Sequence, residues 1–467
     1  MRWACILLLP GLLAACRPRP KPTTPEPSPK PSASTAVPSA TGPEQVARAI
    51  VAELARGEPA RVFARCNAAV QQALPLETLA ALWPGFVAEL GAFGGIGAVA
   101  SERDASGSDV VTARLHFERS PLELRLRLDP AGTVQALAVR PVASPYEPPS
   151  YVDPARFDER ELVIDSDLSQ CGGACRTLPA TLTLPKGPGP VPGVVLVHGS
   201  GPQDRDSTLG PNRPFKDLAW GLASRGIAVL RYVKRTKEHG AKLSPDEVLR
   251  LTLQQETVAD AVAAARTLRA TAGVDPTRVF VLGHSLGGFA LPRIARQDPA
   301  SAGFVSLAGS TRPFEDLVRD QLHYLCELDG KVSDAEQATL AALDAAVLRV
   351  KQLTPATEVA PELLPLSIAA PYWLDLAAAP PDELLRGERR PFLVLHGGRD
   401  YQVTAPDFEG WRRALAADPA ARFKLYPELN HIFVAGTGPG SPVEYERPGH
   451  VAEVVVSDIA AFVLGGG

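Results

Sequence analysis

Metal and redox signatures are missing from this chain. Its six cysteines form no C-x-x-C pair, and none of its eight histidines stands in H-E-x-x-H, so no zinc or dithiol spacing is present. An excess of basic charge is lacking as well. Lys and Arg number 48 against 52 Asp and Glu, and no Arg/Lys run occurs outside the N-terminus, which argues against a nucleic-acid partner. Long apolar runs are also lacking: residues 6–13 are too short to span a bilayer comfortably. What remains is a mildly acidic chain of 467 residues, 45% hydrophobic. That is too long for one ordinary core, so two or more domains are expected.

The opening, "MRWACILLLPGLLAAC", has the grammar of an export signal: Arg2, an apolar stretch, then small Ala14 and Ala15 before Cys16. "LAAC" resembles the lipobox of bacterial lipoproteins. The resemblance implies a signal over residues 1–15, a lipid on Cys16 and a membrane anchor at the cell envelope; Arg17 points to the outer membrane. An ordinary secretory signal with an incidental cysteine is the alternative. Residues 16–43 alternate proline with Ser, Thr and charges, a composition that buries no core and suits a semi-rigid tether. In an exported protein, Cys171 and Cys175 in "CGGAC" form either a small disulfide loop or two free thiols.

Residues 44–142 read as a small α+β domain. Helices are expected over 44–56, 60–73 and "LETLAALWPGFVAEL", the last interrupted at Pro84–Gly85. In "LELRLRLD" the leucines 122, 124, 126 and 128 share one face, and "TVQALAVR" returns after the turn "DPAG". Cys66 reads as a buried structural cysteine.

A proline-rich linker, 143–160, precedes a change of pattern. Over 161–467, apolar runs alternate with helix-like segments: "ELVID", "ATLTLP", "GVVLVHG", "GIAVLRY", "RVFVLGH", "GFVSLAG", "PFLVLHG" and "RFKLYPE". Continuous apolar strands suit a mostly parallel sheet covered on both faces, a doubly wound α/β fold. One helix is expected from the Ser244 cap to Gly273. Residues 311–390 are too many for a plain crossover and read as a helical cap, with Phe314, Tyr324, Tyr372 and Trp373 as its aromatics.

The stretch "VFVLGHSLGGFALPRIA" drives a buried strand into a helix, with Ser285 at the joint as G-x-S-x-G. A serine on such a strained turn projects its hydroxyl from the sheet edge, and the amide of Leu286 faces bound oxygen. It needs a base and an orienting acid. Asp400 follows "PFLVLHG" and His431 follows "RFKLYPE", one helix and one strand later, so both fall at neighbouring strand ends. His450 reads as a capping residue, His198 and His396 as framework, and His284 as diverging from its neighbour Ser285. Glu315, Asp316, Asp407 and Glu409 are the rival acids. A second oxyanion amide comes from Ser200, or Gly201, in "VLVHGSGPQD".

With these residues in view, the chain from about Glu161 onward resembles the α/β-hydrolases. More narrowly, it is similar to bacterial serine esterases related to dienelactone hydrolases and acyl thioesterases, through "HGSGPQDRDSTLGPNRPFKDLAWGLASRGIAVLRY", "GHSLGG", "GGRDYQV" and "LNHIFVAGTGPGSPVEYERPGHV". The resemblance implies Ser285 as nucleophile, Asp400 as acid and His431 as base, with no cofactor. It also implies a site mouth shaped by Asp204, Arg205 and Asp206, with Tyr401 as a further substrate contact. Relatives usually carry "RYDKR" where this chain has Arg231-Tyr232-Val233-Lys234-Arg235, a loss expected to alter a local salt bridge. Residues 44–142 resemble a small domain often found ahead of such hydrolases. The expected partner is a small-molecule ester in an apolar acyl pocket. A thioesterase, peptidase or acyltransferase shares the same triad, and a non-catalytic envelope-binding protein is the rival of another class. Oligomeric state cannot be read from these residues.

Overall fold

Alternation organises the small domain. A computed structural model describes residues 42–104, 107–119, 121–142, 146–166 and 177–465. Cys16, Cys171, Cys175 and the signal segment lie outside them, as does nearly all of the tether. The chain divides into two units, the second resuming at Tyr146. In the small unit, helices Pro43–Ala55, Pro59–Ala64, Ala68–Ala73 and Leu76–Leu90 precede four strands, β1 (Phe93–Arg103), β2 (Asp109–Phe117), β3 (Leu122–Leu128) and β4 (Val134–Pro141). These form one antiparallel sheet in chain order. Leu122, Leu124, Leu126 and Leu128 are buried on one face and Arg125 and Arg127 are exposed on the other. Two details differ from expectation. The helix over 60–73 is broken where Cys66 bridges to Val134 and Asn67 caps the next helix by accepting from Val70 N. The helix through Pro84 is continuous, because buried Leu79 and Trp83 anchor it, with the Trp83 ring 4.8 Å from Phe93. β1, with three glycines and an irregular burial pattern, carries little alternation to read. Cys66 is buried, and burial pushes its thiol pKa up.

Every one of the eight apolar runs forms a strand in the larger unit: β5 (Phe157–Asp165), β6 (Thr177–Pro185), β7 (Val191–Val197), β8 (Ala228–Tyr232), β9 (Val274–His284), β10 (Gly303–Leu307), β11 (Phe392–Gly397) and β12 (Arg422–Tyr426). Their order is β12-β11-β10-β9-β7-β8-β6-β5. Only the β5–β6 and β6–β8 pairings are antiparallel. One apolar core lies on each face. One packs the helices Ala259–Arg269 and Leu286–Gln297; the other packs Pro214–Ala223 and Glu453–Leu464. From β7 the chain crosses to β8 on one side, and from β9 to β10 on the other. This reversal opens a crevice at the carboxyl ends of β7 and β9, where Val197 and Gly283 are register partners. Much of the expected linker is part of this body: Tyr146 Oη donates to Asp217 at 2.7 Å and Tyr151 Oη to the Val451 carbonyl at 2.7 Å.

The segment from Ser244 to Gly273 is not one helix. The Ser244–Glu247 capping box starts a short helix, Pro245–Arg250, and Leu251 then leaves the helical conformation. A π turn, Gln254–Val258, precedes the helix Ala259–Arg269. The break lets Leu251 and Leu253 bury themselves and turns Glu256 inward. Gly273 sits at φ +91° in the loop before β9 rather than at a helix end.

Ion pairs flank Val233 on both sides. Arg231 meets Glu159 at 2.7 Å and Asp206 at 2.9 Å. Arg235 Nε lies 3.1 Å from Asp260 Oδ2, with both side chains fully buried and Ser166 shared between them. Removing one partner strands the other charge. Asp260→Ala is therefore expected to lower stability by about 3–5 kcal/mol, read as an earlier urea midpoint, while Arg235→Met/Asp260→Leu recovers most of the loss.

Candidate active site

β9 runs buried into Gly283-His284, and Ser285 then takes φ 54° and ψ −116° as the helix Leu286–Gln297 begins. Positive φ in a non-glycine residue is strained, and here it aims the hydroxyl away from the strand axis. The turn is held by Ser285 N donating to the Leu307 carbonyl at 2.9 Å. It closes only with glycine on either side. A Cβ on Gly283 would lie 2.2 Å from the Gly287 carbonyl oxygen, and one on Gly287 2.4 Å from that of Val197.

Asp400 and His431 come from the ends of β11 and β12, which are parallel neighbours. Asp400 Oδ1 accepts from the amides of Gln402 (2.8 Å) and Val403 (3.0 Å), and Oδ2 accepts from His431 Nδ1 at 2.7 Å. Burial alone would raise the Asp400 pKa. The His431 charge and hydrogen bond, with the Val403 amide, outweigh it and hold the carboxyl below its ordinary value. An ionised carboxylate only accepts, so Nδ1 is the donor in this pair, and in the neutral imidazole that leaves the free lone pair on Nε2. His431 is fully buried and its Nε2 has no hydrogen-bond partner, Ser285 included. In unliganded acyl-transfer sites that last bond commonly forms only with substrate.

His284 ties the two halves together. Its Nε2 donates to the His431 carbonyl at 2.9 Å, and the two rings are 4.7 Å apart. The residue before the serine thus holds the backbone of the histidine. Burial, then the neighbouring His431, push the His284 pKa down to about 3, so it stays neutral and acts as a donor, not as the base.

Among the described residues, the amides of Ser200 and Leu286 have no protein partner. That of Leu286 opens a twelve-residue helix, where the macrodipole favours negative charge. A small cavity of about 10 Å³ lies over Ser285, room for about one water. Gly199, Ser200, Leu286, Gln203, Ser310, Gln402 and Val403 line it, together with Phe314, Leu317 and Gln321 of the cap helix Phe314–Glu327. Phe314 also walls a second cavity of about 740 Å³, which reaches Phe289, Leu376 and Pro380.

A sequence model of the alpha/beta hydrolase family matches residues 194–452, from β7 to just before the last helix. The chain is also 36% identical over 400 residues to esterase EstD of Thermotoga maritima, covering 85% of this chain and 90% of that one. The chain belongs to the alpha/beta hydrolase family. The match to EstD is longer than the stretch from Tyr146 to the C-terminus, so it takes in part of the small domain too. Among solved structures, Est1E from Butyrivibrio proteoclasticus superposes with a TM-score of 0.41 at 17% identity, covering 65% of this chain and 98% of its own. The Pyrococcus furiosus esterase gives 0.39 at 13%, covering 66% and 91%.

In this hydrolase the side chains expected to contact substrate are engaged with other protein groups. Asp204 spends one carboxylate oxygen on the amides of Asp206 and Thr208 and its carbonyl on His198. Arg205 reaches Glu161 and Thr181 on β5 and β6. Tyr401 stacks on Tyr324 at 5.3 Å and faces Tyr445. None of the three lines the cavity over Ser285, and Gly201 is absent from its walls. Loop side chains follow no periodicity, so their direction could not be read. The aromatic pocket is also narrower than expected. Trp373 packs behind Phe314, and Tyr372 donates to Glu256 at 2.6 Å, leaving Phe314 as the cap aromatic at the serine. Three glutamines were missed: Gln203, Gln321 and Gln402. The position of Gln402, two residues past Asp400 in "GGRDYQV", was the one available signal. Of the rival acids, Asp407 is fully buried and accepts from Thr311 N, Arg312 N and the Arg312 side chain. Glu315 borders the outer cavity. His450 precedes the last helix and bonds Asp217 at 3.1 Å.

Proposed function

We propose that this protein is a carboxylic ester hydrolase acting through an acyl-enzyme on Ser285. The observation that carries the reading is the buried Asp400–His431 pair: His431 Nε2 is unpartnered, and the His431 carbonyl accepts from His284, the residue before Ser285. Ser285 Oγ attacks the ester carbonyl and gives its proton to His431 Nε2. The amides of Leu286 and Ser200 hold the oxyanion, and the imidazolium is held by Asp400. His431 then protonates the departing alcohol, and water attacks the acyl-enzyme by the same route in reverse order. The identity with a protein named an esterase supports an ester as substrate. The test is an ester panel from acetate to octanoate, together with a fluorophosphonate probe mapped by peptide mass spectrometry. Turnover with the probe on Ser285 is expected; a folded protein that hydrolyses none of the esters and takes no label refutes the proposal.

Small to medium acyl groups are the expected substrates, and Phe314 sets their length. The cavity over Ser285 is small, and Phe314 lines both it and the larger one, so a longer acyl chain has to pass Phe314. Phe314→Ala joins the two. It is expected to raise kcat/KM for octanoate relative to acetate by at least about tenfold, the low end of what one methylene contributes in an apolar pocket.

The protein is further proposed to be exported and anchored at the bacterial outer membrane by a lipid on Cys16, on the strength of "LAAC" and the tether after it. Cys16→Ser is expected to move the protein from the detergent phase to the aqueous phase in a Triton X-114 partition of the producing cells. Unchanged partition counts against the anchor.

A further inference from the structure

After β8 the chain turns inward, and Lys234 is 1% exposed. An ammonium is buried so deeply only when it is paired. Its Nζ donates to the Gly199 carbonyl at 2.8 Å and lies farther, 3.4 Å, from Glu256 Oε1. Glu256 stands on the π turn and also accepts from Thr236 Oγ1 at 2.8 Å and from Tyr372 Oη at 2.6 Å. Tyr372 belongs to the cap helix Ala370–Ala377. The main chain adds a second tie: Lys234 N donates to the Gln203 carbonyl at 3.0 Å, and Gln203 Nε2 to that of Ser200 at 2.8 Å. The loop after β7 is therefore held by Lys234 at two points.

The Gly199 carbonyl and the Ser200 N–H are one peptide group. A cation on the oxygen draws electron density through the conjugated C–N bond and leaves the N–H a stronger donor, as in any polarised hydrogen-bond chain. This peptide is packed against the nucleophile, since a Cβ on Gly199 would lie 3.2 Å from Ser285 Cβ. We propose that Lys234 is a positioning residue of the oxyanion site: its ammonium orients and polarises the Gly199–Ser200 peptide, so that the Ser200 amide binds the developing oxyanion more strongly. The proposal rests on Ser285 acting as the nucleophile. Lys234 touches no substrate, and the bond it strengthens forms only as charge develops. Its removal therefore lowers kcat and leaves KM nearly unchanged.

Lys234→Met alone strands the Glu256 carboxylate, so the deciding variant is Lys234→Met/Glu256→Gln in the full chain. Readouts are kcat and KM on p-nitrophenyl acetate, melting temperature, and affinity for an aryl trifluoromethyl ketone, which forms a tetrahedral oxyanion adduct on the serine. Expected are a melting temperature near wild type, an unchanged KM, and kcat and ketone affinity both lower by about 10- to 100-fold. A folded double variant that keeps wild-type kcat and ketone affinity overturns the proposal. Glu256→Asp alone gives an independent answer, decisive also if the double variant does not fold. With the competing carboxylate drawn back by one methylene but its charge kept, the ammonium stays paired and on Gly199, so ketone affinity holds or rises even where the melting temperature falls. A loss of ketone affinity in step with the melting temperature overturns the proposal. A wild type that cleaves no ester, or Ser285→Ala protein as active as wild type, removes the esterase reading itself instead.

Discussion

Ser285→Ala protein is expected to hydrolyse p-nitrophenyl butyrate with kcat lower by about 10⁶-fold, leaving the residual rate that an oxyanion site and substrate binding supply by themselves. Fluorophosphonate labelling is expected to vanish with it. The fold should survive the change. Ser285 is half-buried at the elbow, and the turn is held by the backbone bond from Ser285 to Leu307 and by the two close-packed glycines, none of which alanine disturbs. A melting curve alongside the assay separates the two outcomes. Equal labelling of Ser285→Ala and wild type would take Ser285 out of the reaction.

Asp400→Asn is the second large effect, about 10⁴-fold in kcat, and the structure supplies the reason. Two backbone amides, Gln402 and Val403, donate to one oxygen of Asp400. In the variant, that position still requires an acceptor, so the asparagine places its carbonyl there and turns its NH₂ toward His431 Nδ1. A donor facing Nδ1 forces the proton onto Nε2, and the base is lost. Little stability should go with it, because both amides keep their acceptor. Steady-state kinetics beside a urea melt tests both halves. A variant within tenfold of wild type would mean that the acid lies elsewhere, with Asp407 the first place to look.

The inner strands of the hydrolase unit were legible because buried parallel strands are continuous apolar runs, and the elbow because its glycines flank one serine between a strand and a helix. Asp400 and His431 stood out by chain order and by their positions after two late strands, and the structure puts them in contact. The broken helix after Ser244 was not legible: its cap and apolar spacing are those of a continuous helix, and the break goes with the burial of Leu251 and Leu253. The walls of the cavity were legible only at Phe314. Gln203 and Gln402 were passed over for Asp204, Arg205 and Tyr401, charged or aromatic neighbours whose side chains turn elsewhere.

The sequence by itself determined the parallel sheet, the place of the insertion within it and the strained serine joint, because strand burial and tight turns leave local patterns of apolar and small residues. Tertiary structure alone decided which nitrogen of His431 meets Asp400, that Phe314 lines two cavities, and that a lysine after β8 reaches the carbonyl of Gly199. These depend on side chains from distant segments meeting in a dense interior, where direction is set by packing and by the need to pair every buried polar group.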